Sequence, residues 1–209
     1  MKTFLLLFAL SLYLLPNSTH STRNNINPIR LPSPPYEPPV RDTNGDEVRT
    51  GGVYYIVSAT SETPEKVGFG WYNDTNTRCP TNVVLWKSEF GIAVSIAPAY
   101  PPEATDVWVR IPVNLKFYTP VVPPCDQILT WDAEYDSESD LGLVKTGDND
   151  SPYPFILYPA PAPNTYEIIY CGFLMCKPVS TYYDKSIGET RLFVGDDRSP
   201  LIVQFQFVQ

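Results

Sequence analysis

The chain is 209 residues long, with a formal net charge of −8, 23 prolines, four cysteines and a single histidine. That acidic balance repels nucleic-acid phosphates and anionic membrane surfaces, so neither is expected as a partner. The lone His20 sits at the extreme start, so Ser-His-Asp and Cys-His catalysis and His-bearing metal centres lack their key side chain. A carboxylate acid–base pair is the only enzymatic chemistry left formally open. The expectation is a non-enzyme with no cofactor.

Lys2 gives a short basic start, Phe4 to Leu15 is apolar, and Thr19 and Ser21 are small residues suited to a cleavage site. Residues 1–21 therefore read as a secretory signal peptide cut after Ser21, which takes His20 with it. The apolar run stops at Pro16, short of the roughly 20 residues a membrane span needs, so no membrane insertion is expected of the mature form. Residues 22–39, "TRNNINPIRLPSPPYEPP", are rich in proline and lack apolar periodicity, which predicts an extended leader.

From residue 40 the chain changes character. Short β-branched and aromatic runs alternate with Gly, Asn, Asp and Pro: 53–59, 82–86, 92–97, 107–111, 113–117, 166–171, 190–194 and 201–208. In the last, Leu201, Val203, Phe205 and Phe207 alternate with Gln204 and Gln206, the period of a half-buried strand. Residues 40–209 are expected to form one all-β domain, a barrel or a sandwich. "DTNGD" at 42–46 reads as an Asx-rich turn, and "DAEYDSESD" at 132–140 as a solvated acidic loop that lacks the glycine and distal glutamate of a calcium loop.

Cys79, Cys125, Cys171 and Cys176 enter an oxidising compartment, so two disulfides are expected. Three pairings are possible. The short gap between Cys171 and Cys176 favours a local bridge and leaves Cys79 for Cys125; C-x4-C without a neighbouring histidine is a poor zinc site, so no metal is expected. Asn73 opens the sequon "NDT", a glycosylation site in a polar stretch; Asn149 is followed by Pro152 and Asn17 lies in the signal peptide. Trp86, Trp108 and Trp131 are core-edge aromatics on the simplest reading, and sugar-stacking platforms on a rarer one.

"VRDTNGDEVRTGGVYYIV" at 40–57 resembles the opening signature of the Kunitz inhibitors of the soybean trypsin inhibitor type, through Asp42, Gly45, Gly52, Tyr54, Tyr55 and Ile56. The likeness continues through "RCPTNVV", "NLKF", "YEIIYC" and "TRLFV" to "SPLIVQFQ", with the cysteines in matching order. It implies a β-trefoil with two disulfides and protease partners. "NPIRLP" after the leader's start, together with "NGDEVR", is similar to the storage-protein branch of the family, the sporamin type. That branch implies a sorting signal at Asn27, Pro28, Ile29, Arg30 and Leu31, a vacuolar sorting receptor as partner, and the vacuole as destination, with the extracellular space as the alternative.

In this family inhibition comes from a rigid exposed loop whose P1 side chain enters the protease pocket. The resemblance places that loop at Tyr100, Pro101, Pro102, Glu103, Ala104 and Thr105, with Pro102, Glu103 and Ala104 as P1 candidates. Trypsin's pocket has a buried aspartate and wants Arg or Lys, and none stands there; Arg110, in the alternating run "VWVRI", reads as a solvent-facing strand residue. The family's loop-supporting Asn before Gly-Gly is Thr50 here, which has fewer donors and acceptors. The expected function is an endopeptidase inhibitor acting through 99–105 and weak against trypsin. The alternative is a vacuolar storage or defence protein with little inhibition.

Overall fold

The computed structural model describes residues 37–70, 81–87, 91–100, 103–119, 129–137, 140–147, 154–172, 176–195 and 199–208. Among these residues twelve strands form: β1 (Val53–Ser58), β2 (Lys66–Gly70), β3 (Asn82–Trp86), β4 (Val94–Pro98), β5 (Pro112–Phe117), β6 (Thr130–Asp136), β7 (Leu141–Gly147), β8 (Phe155–Pro159), β9 (Tyr166–Cys171), β10 (Cys176–Asp184), β11 (Glu189–Val194) and β12 (Ile202–Phe207). All pairings are antiparallel, and they sort into two rings. In the first, β1 pairs β4, β4 pairs β5, β5 pairs β8, β8 pairs β9, β9 pairs β12, and β12 returns to β1. That is a closed six-stranded barrel, which leaves no exposed edge.

The second ring is a cap of three hairpins, β2–β3, β6–β7 and β10–β11, joined where β3 meets β7, β7 meets β11 and β11 meets β3. Residues 53–98, 112–159 and 166–207 therefore repeat one four-stranded plan, and the fold is a β-trefoil. No repeat is visible in the sequence, because the symmetry lies in backbone pairing and burial, which many different apolar residues satisfy.

Each barrel strand sends at least one fully buried side chain inward: Ile56, Ile96, Leu115, Leu157, Ile168 and Phe205. A side chain of this kind contributes roughly 1.5–3 kcal/mol when withdrawn from water. Toward the cap the core becomes aromatic: Phe69 lies 4.3 Å from Phe117, Phe117 5.5 Å from Trp131, Trp131 6.0 Å from Phe155, and Phe155 5.2 Å from Tyr170, ring centre to ring centre. The alternation expected of β12 holds through Leu201, Val203 and Phe205, but Phe207 emerges at the strand end, 47% exposed and edge-on to Tyr54.

Two expectations are corrected. Residues 132–136 are not a solvated loop but most of β6, paired along its length with β7. The acidic side chains line an outer face, Glu134 binds Lys145 at 3.1 Å, and Trp131 at the inner end anchors the strand in the core. Residues 107–111 are not a strand: the chain turns at Arg110, whose φ is 58°, the left-handed region that a side chain disfavours. Asx-turn chemistry at 42–46 holds, since Asp42 Oδ1 accepts from the N–H groups of Asn44 and Asp46.

The globular unit begins at Glu37, inside the stretch whose composition marked it as leader. Glu37 pairs with Arg110 at 3.1 Å, Val109 donates to the Pro38 carbonyl, and Pro39 bridges to Trp108. Cys171 and Cys176 are disulfide-bonded across the β9–β10 pair. Cys79, Cys125, Asn73, the signal peptide and the sorting element at Asn27–Leu31 lie outside the described residues.

Candidate functional site: the loop between β4 and β5

The connection from Pro98 to Pro112 is closed at its base. Pro98 pairs with Val113, and the Ala99 N–H donates to the Pro112 carbonyl at 2.7 Å. Its second half is sewn to residues 38–50: Val107 N–H donates to Val48, Val40 N–H to Val107, and Arg49 bridges Asp106. Val107 and Val109 are buried beneath these bonds at 0% and 2% exposure, which pins this half to the barrel. The alternation in "VWVRI" thus marks a buried seam, with strand-like burial but without strand geometry.

Between these anchors the first half projects. Tyr100 is 76% exposed, Glu103 and Thr105 are exposed, and Ala104 is half-buried. Thr105 ends the projection, since its carbonyl accepts from the Thr50 N–H at 2.9 Å and its hydroxyl donates to Asp106 Oδ2 at 3.0 Å. Four of the six residues assigned to the loop, Tyr100, Glu103, Ala104 and Thr105, therefore fall in one segment fixed at Ala99 and Thr105. Pro101 and Pro102 lie outside the described residues.

Among the described residues Thr50 holds the loop by its backbone alone. Its hydroxyl is buried and has no hydrogen-bond partner among them, a condition that costs about 1–3 kcal/mol. An asparagine has the reach and the extra donors to use that position.

Arg110 is no substitute for a basic P1 residue. It stands at the foot of the loop, bound to Glu37 and 5.7 Å from the Tyr158 ring centre, and its own N–H donates to Leu157. Lys145 is likewise occupied by Glu134. Lys185 is exposed on the β10–β11 turn, away from this loop. The anchors Val107, Val109, Arg49 and Asp106 were not assigned a site role from sequence. Their signal, alternating burial opposite "EVR", was present but pointed to a strand.

A β-trefoil that offers one doubly tethered, projecting loop belongs to the class of loop-presenting proteins. Residues 40–207 match the Kunitz legume family model, described as trypsin and protease inhibitor, and the chain belongs to that family. Sporamin B of Ipomoea batatas is 37% identical over 213 residues, covering 94% of each chain. Trypsin inhibitor 2 of Psophocarpus tetragonolobus is 31% identical over 177 residues, covering 79% of this chain and 94% of that one. Among solved structures, a complex of porcine pancreatic trypsin with soybean trypsin inhibitor matches with a TM-score of 0.69 and 28% identity, over 82% of this chain and 100% of the matched one.

Proposed function

We propose that the chain inhibits an endopeptidase by presenting residues 99–105, and that trypsin is not its preferred target. The observation that carries this reading is the pair of tethers at Ala99 and Thr105 around a projecting segment with no basic side chain. Tethering removes conformational entropy before binding, and such preorganisation raises affinity without new contacts. Glu103 facing the aspartate of a trypsin pocket would bury like charges without a counter-ion. Ala104 suits a small elastase-like pocket, and Tyr100 suits a deep apolar one of the chymotrypsin kind.

Titration against trypsin, chymotrypsin and elastase at fixed enzyme concentration tests this. Stoichiometric inhibition of chymotrypsin or elastase is expected, with trypsin weaker by about a hundredfold, or about 3 kcal/mol. Equal or tighter inhibition of trypsin sinks the preference. No inhibition of any of the three sinks the inhibitory reading for serine proteases.

Thr50→Asn is expected to tighten the same inhibition by about tenfold, because a side-chain bond to the loop is worth about 1 kcal/mol or slightly more. The gain should appear mainly as slower dissociation. An unchanged dissociation rate would mean the loop is already rigid without that bond.

A second reading, a storage or defence protein with little inhibition, is favoured by the identity to sporamin B over nearly the whole chain. Both readings share a route. Residues 1–21 direct the chain into the secretory pathway, where Asn73 is glycosylated, and Asn27, Pro28, Ile29, Arg30 and Leu31 address it to the vacuole through a sorting receptor. A fluorescent reporter carrying residues 1–39 should collect in the vacuole and be secreted once Ile29 and Leu31 are replaced by glycine. Secretion of the unmodified fusion would sink the vacuolar address.

A further inference from the structure

On the cap, far in sheet order from β4 and β5, an open cavity of about 600 Å³ lies between the end of β3 and the β10–β11 hairpin. Trp86, Lys87, Tyr183, Glu189 and Thr190 line it. None of these residues belongs to the β4–β5 loop, and β3, β10 and β11 make no pair with either of its strands.

Three facts set this cavity apart from a chance surface dent. Trp86 is 37% exposed, whereas Trp131 is buried and Trp108 half-buried. Its ring is also fixed: the indole N–H donates to the Phe69 carbonyl at 3.0 Å, and the ring packs so closely on Gly68 that a Cβ there would stand 3.3 Å from Cδ1 and Nε1. Tyr183, 60% exposed, supplies a second aromatic wall on a hairpin whose turn is locked by Asp184.

We propose that this cavity binds a neutral oligosaccharide. A pyranose ring offers an apolar C–H face and a rim of hydroxyls. The fixed Trp86 ring accepts the face, and the ammonium of Lys87 and the hydroxyl of Thr190 offer donors and an acceptor for the rim. The volume falls in the range of small-ligand sites, about 300–1,000 Å³. The concave shape fits a short ligand better than the broad contact of roughly 800 Å² per partner that a stable protein complex needs.

Calorimetric titration of the disulfide-intact protein with chitotriose, mannotriose and cellotriose tests the proposal. At least one is expected to bind with a dissociation constant of about 1 mM or tighter. Tyr183→Ala, a change at an exposed position, should weaken that binding about fivefold or more, and Trp86→Ala about tenfold or more. Trp86→Phe keeps a stacking face and should recover most of the loss. Both Tyr183→Ala and Trp86→Phe should leave protease titrations untouched, which separates this site from the loop. No binding of any probe to the unmodified protein at about 10 mM overturns the proposal. So does binding that is indifferent to Tyr183→Ala and Trp86→Ala, or a Tyr183→Ala effect confined to protease inhibition, which would make the cavity a protein contact.

Discussion

A single lysine, introduced as Pro102→Lys, Glu103→Lys or Ala104→Lys, is expected to turn this chain into a tight trypsin inhibitor, and only one of the three positions should do so. The scaffold requirement is already met, since the segment is fixed at Ala99 by Pro112 and at Thr105 by Thr50. What is missing is a cation to pair with the aspartate at the floor of the trypsin pocket. Filling that pocket with the right charge is worth about 3 kcal/mol or more, roughly a hundredfold in affinity. One position should dominate because a tethered loop presents a single side chain to the specificity pocket. Charge alone will not suffice: Lys116 and Lys185 are already exposed elsewhere on the surface, and their presence defines the background. Inhibition constants for the three variants against trypsin, beside the unmodified chain, decide the matter. If none gains at least tenfold over that background, the projecting segment is not the inhibitory element.

The barrel was legible because its strands alternate. β1, β4, β5, β9 and β12 have one apolar face turned to a shared core, and β-branched or aromatic residues fill it. The cap was far less legible. β2 reads "KVGFG", and its glycines are there for room: a Cβ at Gly70 would stand 2.5 Å from both Val84 Cγ1 and Glu189 Oε2. Sequence propensity counts such glycines against a strand, whereas the packing requires them. β6 failed for the opposite reason, because its outer residues face solvent and their charges hide the period. At the candidate site, the family resemblance located the loop, and the residues there showed its missing cation. It could not show that Val107 and Val109 act as buried pegs, since a peg and a strand residue share one burial pattern. Thr50 was legible only as a departure from the family; that its hydroxyl is buried, without a partner among the described residues, required the three-dimensional fold.

Asp184→Asn is expected to lower stability by about 3 kcal/mol at neutral pH, because it strands a buried guanidinium. The Arg191 side chain is only 8% exposed, and it reaches Asp184 Oδ2 at 3.3 Å and Asn82 Oδ1 at 2.8 Å. In a chain of this size that loss corresponds to a fall in Tm of roughly 6–12 °C. The pH dependence gives the prediction its sign. Burial by itself would raise the Asp184 carboxyl, but hydrogen bonds from the Ser186 hydroxyl and N–H, from Arg191 and from the Tyr182 hydroxyl outweigh it and hold the pKa below the ordinary carboxylate value. A carboxylate depressed in the folded state stabilises the fold above its unfolded pKa, about 3.9, and loses that contribution as pH falls through the folded value. The Tm gap between the unmodified chain and Asp184→Asn should therefore stay level from neutrality to about pH 5 and close in more acidic solution. A gap that persists unchanged however far the pH falls below the unfolded value would show that hydrogen-bond geometry, not charge, carries the effect. Because Arg191 ties the β10–β11 hairpin to Asn82 on β3, the loss should loosen the cap alone. Protease titrations at room temperature should stay unchanged while Tm falls, since the loop between β4 and β5 is anchored through residues 38–50 and not through this network.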